Sequence, residues 1–478
     1  MLLRDKRLGE ISEDVLEYIS SRKADQRIFE ADILVDRAHL IMLKERGLIS
    51  EDECARIIKT LEEVLEENLG PAEDVHEAIE SYLLTYVGSD AGKMHTGRSR
   101  NDEVATCIRL ALREELLGLM EELLALIRMM VELAGNYTET LIPGFTHSQH
   151  AQPTTLAHYL LAHVDAFLRD LERIEEAYNR VNMSPLGSAA FASTGFNIDR
   201  LRTCQLLGFG RLLENSMDAV STRDFILEIL SDLAILMVDL SRLSEELILW
   251  STSEFGYLEL DNLFASTSSI MPQKKNPDTA ELARAKAGSV IGSLVSVLTI
   301  CKALPLSYNR DLQEVTPHLW RGMDWARSTV RIMDGCISTL KFNVERLEDS
   351  SSAGFSTATE LADSLVRNTG MPFRTAHQIV SRIAAEDLKP TLQELDGVAM
   401  EIIGFRPSER GFSSSDLERA LNPKYNVAVR AGIGGPTASE TKRMVRERVQ
   451  IISGHDKRIN NLRNKVQEAL NALRQMKR

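Results

Sequence analysis

Aromatic residues make up only 5% of this 478-residue chain, which argues against a β-sandwich or barrel. Leu, Ala, Glu, Arg and Met are plentiful instead, and all five favour helix. Positive charge is also short. There are 56 Lys and Arg against 70 Asp and Glu, and the net charge of −14 argues against nucleic acid as the main partner. The five cysteines (54, 107, 204, 301 and 336) are widely spaced with no C-x-x-C pair, so they read as reduced and packed. Long hydrophobic runs are missing too. The longest uncharged stretch, 287–301, is shorter than a bilayer requires, and the apolar segment 225–240 carries Glu228, Asp232 and Asp239. The opening residues 1–7 turn charged at once, so no signal peptide is expected. A soluble cytoplasmic protein, bound to no membrane, is the expectation.

Apolar residues recur at helical spacing without a proline from Glu103 to Ala134, through Val104, Ile108, Leu112, Leu116, Leu119, Leu123, Ile127 and Met130. Similar patterns cover about 154–181, 223–250, 278–303 and 317–345. Helices of that length with wide apolar faces belong in a bundle, and several such faces suggest an oligomeric one. Within 278–303, Gly288, Gly292 and Ser296 fall four residues apart, a nearly bare face that a second helix can approach closely. An intersubunit contact is favoured there over crowding within one subunit. Loops are expected at 136–153, 183–197 and 251–277. The resulting organisation is all-α in three parts: an N-terminal helical domain 1–102, a central long-helix bundle 103–350 and a small helical domain 351–478.

Several familiar patterns fail. Gly88–Lys93 is one residue short of a phosphate loop, and Gly208-Phe209-Gly210 lacks the strand and third glycine of a dinucleotide site. His147 with His150, and His158 with His163, have no clustered carboxylate or thiolate, so no metal site is expected. Four polar clusters remain. Residues 266–278 (STSSIMPQKKNPD) form a hydroxyl-rich basic loop, with Asn276 expected as helix cap and Pro277 as the first helical residue. Residues 95–102 (HTGRSRND) offer Asn101 or Asp102 as a cap and two arginines for a carboxylate. Residues 144–153 (GFTHSQHAQP) concentrate titratable and amide groups. Residues 308–314 (YNRDLQE) read equally well as a solvated, salt-bridged turn. Together these clusters suit proton transfer on an anionic substrate without a cofactor.

The 268–277 segment (SSIMPQKKNP) resembles the signature of the fumarase/aspartase superfamily, and its Q-K-K-N-P-D ending is similar to the argininosuccinate lyase family within it. HTGRSRND, FTHSQHAQP, NSMDAVSTRDF, LSRLSEELILWSTSEF and YNRDLQE carry the same resemblance over nearly the whole chain. It implies an all-α, three-domain subunit assembled into a homotetramer whose active sites are shared between subunits. It also implies the reversible elimination of argininosuccinate to arginine and fumarate, the last step of arginine biosynthesis, with no cofactor.

By that resemblance Ser268 removes the proton beside a carboxylate and His147 protonates the leaving group, with Glu281 orienting His147. The opposite assignment of acid and base fits the same residues. Substrate-binding positions carried over are Ser21, Asn101, Thr146, Asn276, Tyr308 and Gln313, and Lys274 supplies charge on the loop. Two residues depart from the family pattern. Thr267 stands where glycine is usual, so the loop must start in ordinary backbone or bear strain. Thr316 stands where lysine is frequent. Rival readings are a sister lyase yielding fumarate from another substrate, such as adenylosuccinate, a non-enzymatic relative like the lens crystallins, and a helical scaffold without a small-molecule site.

Overall fold

The computed structural model describes Gly9, residues 11–386, Leu388 and residues 390–476. The charged segment 1–7 lies outside them. The elements that position the site are α1 (Phe29–Glu45), α2 (Val75–Val87), α3 (Arg100–Asn136), the hairpin β1 (Leu141–Thr146) and β2 (Gln149–Thr155), and α4 (Leu156–Val181). After these come α5 (Asp224–Trp250), the short pair β3 (Ser266–Thr267) and β4 (Lys275–Asn276), α6 (Asp278–Cys301), α7 (Val315–Ser338) and α8 (Ala438–Gln475). The five long helices α3 to α7 coincide with the five periodic patterns to within a few residues, except that α7 stops at Ser338.

Burial explains the agreement. Leu112, Leu116, Leu119, Leu123, Ile127 and Met130 form one face of α3 and are fully buried. Each such side chain contributes roughly 1.5–3 kcal/mol. Helices α3 to α7 pack on one another as the central bundle, and α8 returns to lie along α3. A separate, smaller apolar core gathers Leu361, Leu365, Ile379, Ile383, Leu395 and Phe412. All five cysteines are free, and four of them are buried.

Three local readings need correction. The cap of α3 is Ser99, which forms a capping box with Asp102, so neither Asn101 nor Asp102 is the cap residue. The cap position of α6 is Pro277, at ψ 49°, and Asn276 lies one residue earlier, paired with Ser266 in the β3–β4 ladder. The expected loop at 136–153 is largely the β1–β2 hairpin. Its two turn residues, His147 (φ 53°) and Ser148 (φ 56°), are both left-handed, as a two-residue primed turn requires.

Helix α6 is only partly covered by its own chain. A Cβ placed on Gly288 or Gly292 would meet nothing within 4 Å among the described residues, which speaks against crowding within one subunit as the reason for the small residues. Leu282, Ile291, Val295 and Leu298 are exposed along it. By length and composition α6 also passes as a membrane span, because the helix extends well beyond the uncharged run 287–301. Just 22% of that apolar window is buried within the chain.

Candidate active site

The N-terminal segment, the start of α3 and the residues before α7 enclose a cavity of about 420 Å³. Four of the expected substrate-binding residues line it: Ser21, Asn101, Tyr308 and Gln313. Its charged wall carries Arg100, Arg223 and Arg310 against Asp25, Glu73 and Asp74. Such a cavity suits a ligand bearing both carboxylate and guanidinium groups.

Local bonds hold this wall. Ser21 donates its hydroxyl to Asp25 at 2.5 Å, and its backbone N–H to the Glu73 carbonyl at 3.1 Å. Gln313 donates to the Ile19 carbonyl at 2.9 Å, and Arg310 reaches both that carbonyl and Glu73. The YNRDLQE run is therefore packed onto the N-terminal segment and is no free surface turn. Arg100 pairs with Asp74 at 3.1 Å. Burial lifts the Asp25 carboxyl above its ordinary value against the pull of His76 and Ser21. Burial also raises Tyr308 and lowers Arg223. One guanidinium nitrogen of Arg100 (Nη2) and one of Arg223 (Nε) are buried and find no partner among the described residues.

The two arginines of HTGRSRND part company. Arg98 turns inward and pairs with Asp36 at 2.5 Å and Glu103 at 2.8 Å, with 1% of its side chain exposed. His76 completes this knot, 2.8 Å from Asp32. Only Arg100 remains available to a ligand. Arg223 and Asp25 escaped the sequence reading as site residues. Arg223 lies inside NSMDAVSTRDF and was visible there as family pattern, but nothing in its spacing announced a buried cavity wall.

The other expected residues stand elsewhere in the chain. Thr146 and His147 sit at the exposed end of the β1–β2 hairpin. Ser268 and Lys274 belong to the loop between β3 and β4, and Asn276 ends β4 itself. The Ser268 hydroxyl oxygen accepts the backbone N–H of Ile270 at 3.3 Å and of Met271 at 3.0 Å. Thr267 lies in β3 without positive φ, so the loop starts in ordinary backbone. Lys275 is tied to Glu259 at 2.9 Å, whereas Lys274 is exposed and makes no ion pair among the described residues. Asn276 reaches Ser266 at 3.5 Å. Glu281 is exposed in the first turn of α6, and among the described residues no bond joins it to His147. Thr316 lines the cavity and donates its hydroxyl to the Gln313 carbonyl at 3.0 Å.

Known proteins are similar to this chain over nearly its whole length. Residues 8–292 match the lyase family model, and residues 355–428 match a second model, the argininosuccinate lyase C-terminal domain. An argininosuccinate lyase of Methanothrix thermoacetophila is 62% identical over 476 residues, covering 99% of this chain and 98% of that one. Its counterpart in Methanocaldococcus jannaschii is 49% identical, covering 98% and 99%. Among solved structures, EDDS lyase in complex with formate superimposes with a TM-score of 0.84 at 33% identity, covering 94% and 93% of the two chains. A class II fumarase from Schistosoma mansoni shares the fold alone, with a TM-score of 0.69 at 17% identity, covering 83% and 90%.

Proposed function

The chain belongs to the argininosuccinate lyase family and cleaves argininosuccinate reversibly into arginine and fumarate, and from that premise we propose how its residues divide the work. A proton leaves the carbon beside a carboxylate, and the guanidino nitrogen departs from the neighbouring carbon. Negative charge builds on that carboxylate meanwhile, so fixed cationic donors lower the barrier. Arg100 and Arg223 line the cavity and suit this task.

Ser268 is the base. The observation that carries the assignment is the pair of backbone N–H groups aimed at its oxygen. They stabilise an alkoxide more than a neutral hydroxyl and so bring down a pKa that is otherwise far too high for the task. Lys274 on the same exposed loop adds positive charge. His147, at the tip of its hairpin, is the acid for the leaving nitrogen. Thr146 and Asn276 bind substrate beside these two groups, and Ser21, Asn101, Tyr308 and Gln313 bind it within the cavity.

One chain does not bring these groups around one point, since none of Thr146, His147, Ser268, Lys274 and Asn276 lines the cavity. The complete site is shared between subunits of a cytoplasmic homotetramer joined through the bare and apolar faces of the long helices. The exposed apolar residues and open glycines of α6 support that assembly. Neither nucleic acid nor a membrane enters this reading.

Ser268→Ala tests the assignment. Fumarate absorbance should appear on the order of a thousandfold or more too slowly, with the tetramer intact by light scattering. Near-normal turnover would remove Ser268 from the chemistry.

A further inference from the structure

Asp102 is fully buried, and no arginine or lysine forms an ion pair with it among the described residues. Its charge is met by backbone instead. Oδ1 accepts the Ser99 N–H at 2.9 Å, which closes the capping box of α3. Oδ2 accepts two further N–H groups, from Gly187 at 2.8 Å and Ala189 at 2.9 Å. Capping needs only the first of these bonds. The other two reach a segment 85 and 87 residues away.

That segment is built to receive the carboxylate. Gly187 (φ 86°) and Ala189 (φ 53°) are both left-handed, so two N–H groups two residues apart converge on one oxygen, the geometry of an anion nest. Ala189 holds this conformation without the freedom of glycine, and such outliers persist only where surrounding bonds enforce them. Arg200 fastens the same turn, donating to the Leu186 carbonyl at 3.1 Å and the Ser188 hydroxyl at 3.0 Å. Residues 184–189 are buried, and the chain emerges into solvent at Ala190. The Ala190 carbonyl accepts the side-chain N–H of Asn101 at 2.9 Å.

Asn101 is thus held from two sides, and Asp102 controls both. It fixes the backbone of the first turn of α3 through Ser99, and it fixes the Asn101 amide through the turn that presents Ala190. We propose that Asp102 is a positioning residue of the lyase reaction, clamping the 187–190 turn to the start of α3 and thereby aiming the Asn101 amide at substrate. The proposal rests on the reading of Asn101 as a substrate ligand. Asp102 itself does not line the cavity, whereas its neighbours Asn101 and Arg100 do.

A double-mutant cycle on the intact tetramer tests this, with kcat and KM for argininosuccinate measured for wild type, Asp102→Asn, Asn101→Ala and the double variant. Asp102→Asn should raise KM about tenfold with a smaller fall in kcat, because one amide oxygen cannot meet all three N–H groups. If Asp102 acts through Asn101, the double variant matches Asn101→Ala alone. Losses that multiply would overturn the proposal, because a purely structural role acts independently of the Asn101 side chain. An Asn101→Ala enzyme with wild-type constants would instead overturn the ligand reading of Asn101, and the proposal with it. Should Asp102→Asn fail to assemble, Asp102→Glu keeps a charged acceptor but displaces it and takes its place in the cycle. There too, a double variant that matches Asn101→Ala supports the clamp, and losses that multiply overturn it.

Discussion

Gly144 shows how narrowly single residues constrain the site. It sits at the irregularity of the β1–β2 ladder, and a Cβ there would lie 2.4 Å from the Gln152 carbonyl oxygen. That neighbour is backbone and cannot swing away. Gly144→Ala should cost roughly 1–3 kcal/mol in a thermal melt and lower lyase activity tenfold or more, by forcing apart the strands that carry Thr146 and His147. An unchanged melt and assay would mean the hairpin yields without effect. At this scale the sequence revealed residue types better than their partners. The cavity-lining Ser21, Asn101, Tyr308 and Gln313 were legible from pattern. What a side chain bonds to was not, because partners come from distant segments. Arg98 and Arg100 look alike in HTGRSRND, yet Asp36 on α1 captures the first and leaves the second at the cavity. Asn276 looked like a helix cap because Asn-Pro often starts a helix, but pairing with Ser266 claimed it first.

Among elements, the buried knot joins α1 (Asp32, Asp36), α2 (His76), Arg98 and α3 (Glu103). Burial disfavours a charged His76, but Asp32 and then Glu103 outweigh it and hold its pKa at about 10, against an ordinary 6.5. A raised folded value means stabilisation that is complete below pH 6.5 and lost as pH climbs through 10. The ceiling on that loss is about 1.4 kcal/mol per pH unit. Melting temperature should therefore fall between pH 7 and 9.5, and His76→Gln should flatten the slope. An equal slope in the variant would show that other groups set it. The long helices were legible because burial writes a 3.6-residue period into the sequence. The hairpin was not, because residues 146–150 (THSQH) show no strand alternation and its primed turn uses His-Ser in place of Asn-Gly.

For the whole molecule, the proposed assembly turns on the uncovered faces. Ile235 and Val238 on α5, Val295 and Leu298 on α6 and Ile332 on α7 lie exposed on one chain, apolar side chains of the kind an interface covers. Gly292→Leu adds bulk where a Cβ would meet no atom of the described residues within 4 Å. It should leave helix content unchanged by circular dichroism while dispersing the proposed tetramer in sedimentation and abolishing turnover. A tetramer that survives would place the contact on another face. The buried knot around Arg98 also bears on the temperature at which the folded chain performs best. Water's hold on ions weakens with heat, so the cost of drying these charges shrinks on warming while their mutual attraction remains. The knot therefore weighs most against folding in the cold and least in the heat, which tilts the stability curve of the whole chain toward high temperature.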